Sequence, residues 1–323
     1  MNNKREYAIG GYFGLELRDG EHYHMDAIRL NTARNCFEYI LRSRQYTKVY
    51  IPYYTCKVMI EPLQKCNVDF EFYHINELLE PVEEYVLNDN EAFLYTNYYG
   101  LKQNCIENLA FRYGSNLIID NAQAFYAKPL NSIDTFYSAR KFFGVADGAY
   151  LYTDKILDED FPQDKSYDRM SHLLKRFDVG AEFGLSDFRE NDKSLIGQPI
   201  KKMSNLTAAI LESIDYDNAA KQRRENYMFL DSVLGEQNKI RLELDNDAIP
   251  MVYPYWSEDD SLRKKLIDNR IYVATYWPNV EIWCQDECLE NKLTKCLLPL
   301  PVDQRYCVEE MKRIIEYIDN ERR

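Results

Sequence analysis

Between residues 30 and 153, short apolar or aromatic runs alternate with stretches of helical periodicity, and this alternation restricts the chain more than any other feature. Strands separated by helix-length connections do not pair as hairpins. They lie parallel, and a parallel sheet needs helices over both faces. The pattern predicts strands at Val49–Ile51, Phe70–Tyr73, Ala92–Thr96, Leu117–Asp120, Thr135–Ser138 and Ala149–Thr153, with helices over Ala33–Arg44, Lys57–Lys65 and Cys105–Tyr113. From 154 to about 200 the chain is charged and irregular, and a long helix is then expected from Met203 to Leu234. A second α/β unit follows, with strands at Pro250–Tyr255 and Ile271–Thr275 and helices at Leu262–Asn269 and Val308–Ile318. The expected architecture is α/β, a large domain over 1–222 with a mostly parallel sheet and a smaller C-terminal domain over 223–323.

A formal net charge of −13 excludes a protein whose main task is to hold nucleic acid or an anionic membrane, since both demand a basic surface. Any anionic ligand must therefore be met locally. The first thirteen residues lack an apolar core of leader length, and no run of about 18 apolar residues occurs, so a cytoplasmic protein is expected. The eight cysteines form no CxxC pair and are expected as reduced thiols. Cys284 and Cys288 are spaced to share one helical face, but no second ligand pair follows them and no metal site is expected. His22 and His24 are expected in a polar turn or strand.

Three segments carry chemistry. In LNTARNCFEYIL, Asn31 or Thr32 caps a helix whose first N–H groups, on Ala33 and Arg34, point out at the positive end of the helix dipole; this is either an ordinary cap or an anion site. Arg34 favours the anion site, because a cation there is opposed by the dipole unless it meets a negative group. In NLIIDNAQAFYA an apolar strand closes on Asp120, and ligands of open α/β sheets lie at the carboxyl ends of strands. In YSARKFFGVADG, Lys141 is flanked by Phe142 and Phe143, an apolar setting suited to an amine that forms a Schiff base, while Ser138 and Arg140 offer a hydroxyl and a cation to a phosphate.

Taken together these segments resemble the sugar aminotransferases of the DegT/DnrJ/EryC1/StrS family, fold type I enzymes of pyridoxal 5'-phosphate (PLP). NTARN is similar to the family's GTAA helix start, IPYYTC to VPSYTF, TNYYGLK to HLYGQP, IIDNAQAFYA to IEDAAQA, and YSARKFFGVADGAYLYT to SFHPTKNLGAGGDGGAVVT. Further on, IKKMSNLTAAIL resembles YRMSEIQAAIG, NRIYVATYWPNV the Y-x-P segment, and LLPLPVDQRYCVEEMKRII the LPLYPxLTDEEVxRVI ending. The resemblance implies that Lys141 bonds covalently to PLP, that Asp120 pairs with its pyridine nitrogen, that Gln123 lies against it, and that Thr32, Ala33, Arg34 and Ser138 meet its phosphate. Where the family has an aromatic residue after VPSYT this chain has Cys56, so the stacking ring comes from Tyr54 or is absent. Phe136 replaces a family serine, and Ile200 the asparagine that reaches the partner subunit.

The implied function is transfer of an amino group from an amino acid, glutamate first, to a keto sugar carried on a nucleotide, in a homodimer whose sites lie at the subunit interface. Related dehydratases carry histidine at the lysine position, which Lys141 opposes. The alternative from a different class is a member that binds PLP or a nucleotide sugar without transaminase turnover.

Overall fold

The computed structural model describes residues 9–319; residues 1–8, which carry part of the leader reading, lie outside it. The large sheet is built from β1 (Ile28–Leu30), β2 (Lys48–Pro52), β3 (Asp69–Tyr73), β4 (Glu91–Thr96), β5 (Leu117–Asn121), β6 (Asp134–Ser138) and β7 (Ala149–Tyr152), in the order β1-β7-β6-β5-β4-β2-β3. The pairs β3/β2, β2/β4, β4/β5 and β5/β6 are parallel, and β7 runs antiparallel to both β6 and β1. The expected mostly parallel sheet is therefore present.

Side chains alternate across it with the two-residue period of a strand. Tyr50, Phe93, Tyr95, Leu117, Ile119 and Tyr137 enter one core, whereas Val49, Ile51, Ala92, Leu94, Ile118 and Phe136 enter the other. The second core is closed by α1 (Ala33–Arg44) and α2 (Ile60–Lys65), through Cys36, Phe37, Ile40 and Leu63. The first is covered by α3 (Gln103–Tyr113) and is continuous with the C-terminal unit, reaching Leu230, Val252 and Leu298.

Helices α4 (Ser171–Asp178) and α5 (Leu185–Ser194) occupy the stretch read as irregular. The single helix expected over Met203–Leu234 is two, α6 (Asn205–Glu212) and α7 (Tyr216–Leu234). The break is chemical: the Asp215 carboxylate caps α7 by accepting the Asn218 N–H at 3.0 Å. The expected 222/223 domain boundary falls inside α7. In the C-terminal unit β8 (Val252–Trp256) pairs antiparallel with β9 (Leu297–Pro301), flanked by α8 (Leu262–Asp268), α9 (Val280–Trp283), α10 (Leu289–Cys296) and α11 (Val308–Asp319). The strand expected at Ile271–Thr275 does not form. β9 takes the place beside β8, and 271–275 is an extended segment without ladder partners among the described residues.

Candidate active site

The carboxyl ends of β2, β4, β5 and β6 and the start of α1 converge at one end of the large sheet. Registry does most of the positioning. Thr96 on β4 lies opposite Asp120 on β5, Asp120 opposite Phe136 on β6, and the chain then turns through Ser138 and Ala139 to Lys141. The start of α1 is bound to the same turn: the Gly148 N–H donates to the Asn31 carbonyl at 2.7 Å, and the Gly148 carbonyl accepts the Ala139 N–H at 3.1 Å. Gly148 has φ +109°, and a Cβ there would lie 2.8 Å from Thr207 Cγ2, so only glycine permits this bridge.

Asp120 is buried, with one carboxylate oxygen accepting the Ala122 N–H at 2.8 Å. Burial pushes its pKa up to about 6, against the Ala122 N–H, the Lys141 charge and the Thr96 hydroxyl, which all pull it down. Gln123 is spoken for on one side only: its Oε1 accepts the Tyr99 N–H at 3.1 Å, while its buried Nε2 has no hydrogen-bond partner among the described residues. The buried Asn97 Nδ2 is in the same state, although Asn97 Oδ1 accepts the Lys102 N–H at 3.0 Å. A desolvated carboxylate is costly without a cationic N–H to meet it, and unpartnered buried amide N–H groups are costly without an acceptor. A protonated pyridine ring carrying acceptor oxygens offers both, so these residues fit PLP.

Lys141 is exposed, with its Nζ 5.6 Å from the centroid of the Tyr276 ring. The apolar setting expected from its neighbours is not what the fold provides. Phe142 and Phe143 are buried, Phe142 against Phe125 and Tyr126 and Phe143 against Phe125 and Tyr216. Burial raises the pKa of Tyr276 to about 12. Cys56 is partly buried and presents no ring. Tyr54 is fully buried, its hydroxyl 3.2 Å from that of Tyr99 and its ring edge-on to Trp277 at 4.9 Å.

The groups expected around a phosphate are only partly brought together. Thr32 caps α1, with its Oγ1 accepting the Asn35 N–H at 3.2 Å and donating to Asn35 Oδ1 at 2.6 Å. Ala33 opens the helix behind it, and Ser138 closes β6 on the same end of the sheet. The Arg34 guanidinium turns to Glu61 at 2.8 Å, and Arg140 pairs with Asp192. His22 and His24 are buried core histidines: His22 Nδ1 meets the Tyr150 hydroxyl at 2.7 Å, and His24 Nε2 meets the Phe125 carbonyl at 2.7 Å.

Sequence reasoning missed Arg223. It lies on α7 in a charged run that looks solvated, KQRREN, yet it is 1% exposed. Its guanidinium donates to the carbonyls of Phe142 (3.3 Å), Pro250 (3.3 Å) and Met251 (3.2 Å) and to Gln304 Oε1 (2.9 Å), and Gln304 Nε2 donates to the same Phe142 carbonyl at 3.0 Å. The Lys141 turn is thus held from the C-terminal unit. Burial lowers the Arg223 pKa to about 10, so it is a cation at neutral pH. Arg223→Ala would take a donor from the buried Pro250 and Met251 carbonyls, while Phe142 keeps Gln304, and is expected to cost on the order of 3 kcal/mol, measured as a lower urea midpoint. An unchanged midpoint would mean that water replaces the guanidinium at no cost.

No protein-family model matches this sequence, and no curated protein matches it. Solved structures do match in three dimensions, and the fold they share with this chain is the fold type I arrangement of the DegT/DnrJ/EryC1/StrS aminotransferases. An aminotransferase of that name from Brucella abortus aligns over 91% of this chain and 85% of its own, with TM-score 0.61 and 15% identity. DesV from S. venezuelae, in complex with a ketimine intermediate, aligns over 90% and 83%, with TM-score 0.62 and 17% identity. An E. coli GDP-4-keto-6-deoxy-D-mannose-3-dehydratase with bound hydrated PLP aligns over 90% and 87%, with TM-score 0.63 and 14% identity. At such identities the likeness is one of fold, and function has to be argued from the site.

Proposed function

We propose that this protein is a PLP-dependent aminotransferase that moves an amino group from an amino acid, glutamate first, to a keto sugar carried on a nucleotide. The observation that carries this reading is Asp120, a buried carboxylate at the end of β5 with a raised pKa, with Lys141 on the turn that follows the adjacent strand β6. PLP, when bound, supplies an aldehyde carbon that bonds reversibly to amines and a ring that draws electrons from the substrate carbon. Asp120 would hold a proton at the ring nitrogen, since a buried carboxylate is stabilised by a cationic partner. The Lys141 amine would anchor the cofactor and would move the proton from Cα of the amino donor to the cofactor's former aldehyde carbon. Gln123 would lie against the cofactor, and Thr32, Ala33 and Ser138, with the Arg34 backbone N–H, would hold the phosphate at the positive end of α1. Tyr54 and Cys56 line the wall formed by the loop after β2.

The sugar acceptor rests on the sequence resemblance and on the fold shared with a dehydratase whose name gives a GDP-linked keto sugar. Lys141 supports amino transfer over dehydration. Cys56 without a ring, and the Arg34 guanidinium held by Glu61, are what favour the alternative of a PLP- or nucleotide-sugar-binding protein without transaminase turnover. A single-turnover experiment separates them: protein loaded with PLP is mixed with L-glutamate and other amino donors, and loss of the visible absorption is followed with release of the 2-oxo acid. Turnover of at least one donor is expected. Bound PLP that no donor converts would select the alternative.

The active unit is proposed to be a homodimer with twofold symmetry. The α4–α5 segment touches the Lys141 turn through Arg140–Asp192 and through Asn191 Nδ2 on the Ala146 carbonyl at 3.0 Å. It leaves Leu174, Phe177, Phe183, Leu185 and Phe188 exposed, Phe177 by 92%, and Tyr12 and Phe13 are almost wholly exposed as well. Apolar surface of that extent beside an open site suits a second copy better than water. Light scattering is expected to give twice the chain mass, with activity falling on dilution; a fully active monomer would contradict the proposal. A cytoplasmic location is proposed from the eight unpaired cysteines. Among the described residues no helix is long and apolar enough to cross a membrane.

A further inference from the structure

We infer that His74, Cys284, Cys288 and Glu290 form a structural site for a thiophilic divalent cation, zinc first, that ties the C-terminal unit to the loop beside the candidate active site. The sequence offers only the Cys284-x-x-x-Cys288 pair; the fold brings the other two ligands to it. His74 follows β3, Cys284 follows α9, Cys288 caps α10, and Glu290 lies in the first turn of α10. His74 Nδ1, Cys288 Sγ and a Glu290 carboxylate oxygen all lie within 4.8 Å of one another. Cys284, which closes α9 four residues before Cys288, is the fourth ligand that the inference adds to these three.

An ion pair accounts for part of this arrangement, since His74 Nδ1 is 3.1 Å from Glu290 Oε1. It does not account for the Cys288 sulfur, brought within 4.8 Å of both the His74 nitrogen and a Glu290 carboxylate oxygen, the carboxylate being only 1% exposed. Tetrahedral zinc with bonds of about 2.0–2.3 Å places its ligands roughly 3.3–3.8 Å apart, a contraction within the reach of side-chain rotation here. Sulfur with imidazole selects zinc over magnesium or calcium, and four protein ligands make a closed, structural site. The carboxylate is already oriented from behind by the Ile75 N–H on Glu290 Oε1 at 2.8 Å. The His74 ring, 41% exposed, leaves a path for the ion to enter.

The consequence is mechanical. Asn279, at the start of α9, donates from Nδ2 to the Thr55 carbonyl at 2.9 Å and accepts the Lys57 N–H at 3.2 Å, and Tyr53 lies 4.6 Å from the His74 ring. A metal at Cys284 and Cys288 would therefore brace the loop that carries Tyr54 and Cys56.

The test uses the full chain, purified without chelator. One zinc per chain is expected by elemental analysis, and exchange for Co2+ should give sulfur-to-cobalt charge-transfer absorption and the ligand-field bands of a tetrahedral ion. His74→Ala and Cys288→Ser should each weaken zinc binding by at least about 100-fold with the fold retained by circular dichroism. If Cys288→Ser fails to fold, the half-exposed His74 carries the test by itself. Folded wild-type protein that retains no zinc and gives no cobalt bands would overturn the inference, as would an intact mass showing Cys284 and Cys288 joined as a disulfide with no metal present. None of these readouts depends on the proposed transaminase activity.

Discussion

Lys141→Ala is expected to abolish covalent retention of PLP and to slow the amino-donor half-reaction by roughly four orders of magnitude, the upper end of what a positioned proton-transfer group contributes. Both effects would have one origin, because in the proposed mechanism the same amine anchors the cofactor and carries the proton. The side chain is exposed and its turn is held by backbone contacts, Ala139 N–H to Gly148 O and Arg223 to Phe142 O, so its removal leaves those contacts in place. Stability is therefore expected to change little while chemistry is lost. Added small amines should restore part of the proton transfer to Lys141→Ala. A variant that keeps a near-normal half-reaction would remove Lys141 from the mechanism.

Asp120→Asn is expected to leave PLP bound but to slow the half-reaction by roughly 10²–10³-fold, since an amide no longer holds a proton at the ring nitrogen. The same substitution has a second signature in the cofactor-free protein. Asp120, with its pKa raised to about 6 against 3.8 unfolded, contributes stability that is fully present below pH 3.8 and is lost as pH rises through 6, a difference of roughly 3 kcal/mol. His24 works in the opposite sense. Burial lowers its pKa from 6.5 to about 4, so its contribution is present above pH 6.5 and is lost as pH falls through 4, again roughly 3 kcal/mol. In the wild type the two largely offset each other between pH 6.5 and 4. In Asp120→Asn only the His24 loss remains, with smaller losses of the same sign from His22 and His172, whose pKa values burial also lowers. Urea titrations across that range should show a steeper acid loss in Asp120→Asn than in wild type; equal slopes would mean that Asp120 is solvated in the cofactor-free protein.

Most strands of the large sheet were legible because they are short buried runs whose two faces enter different cores, as Val49–Ile51 and Ile118–Ile119 illustrate, whereas the three-residue β1 was not read. The place of Asp120 was legible for a related reason, since a carboxylate that closes an apolar strand has nowhere to go but the end of the sheet, whereas Gln123 was named only through the family resemblance. What could not be read depends on contacts between distant segments. The Met203–Leu234 periodicity runs through a break made by one capping aspartate, and Ile271–Thr275 has the composition of a strand but loses its place to β9, 26 residues after Ile271. Arg34 pointed to an anion, and the anion it meets is Glu61, 27 positions away. Arg223 and the His74 cluster are tertiary constructions: the first lies in a charged helix and pairs with carbonyls of three other segments, and the second joins residue 74 to residues 284–290.

Lys141 beside Asp120 is proposed as the attachment point of PLP. Loading the purified protein with PLP, reducing with borohydride, digesting, and locating the added mass by peptide sequencing identifies the residue that bonds the cofactor. One pyridoxyl group per chain, on Lys141, is expected. Label on another of the lysines, or none after reduction of a protein that had bound PLP, would contradict it.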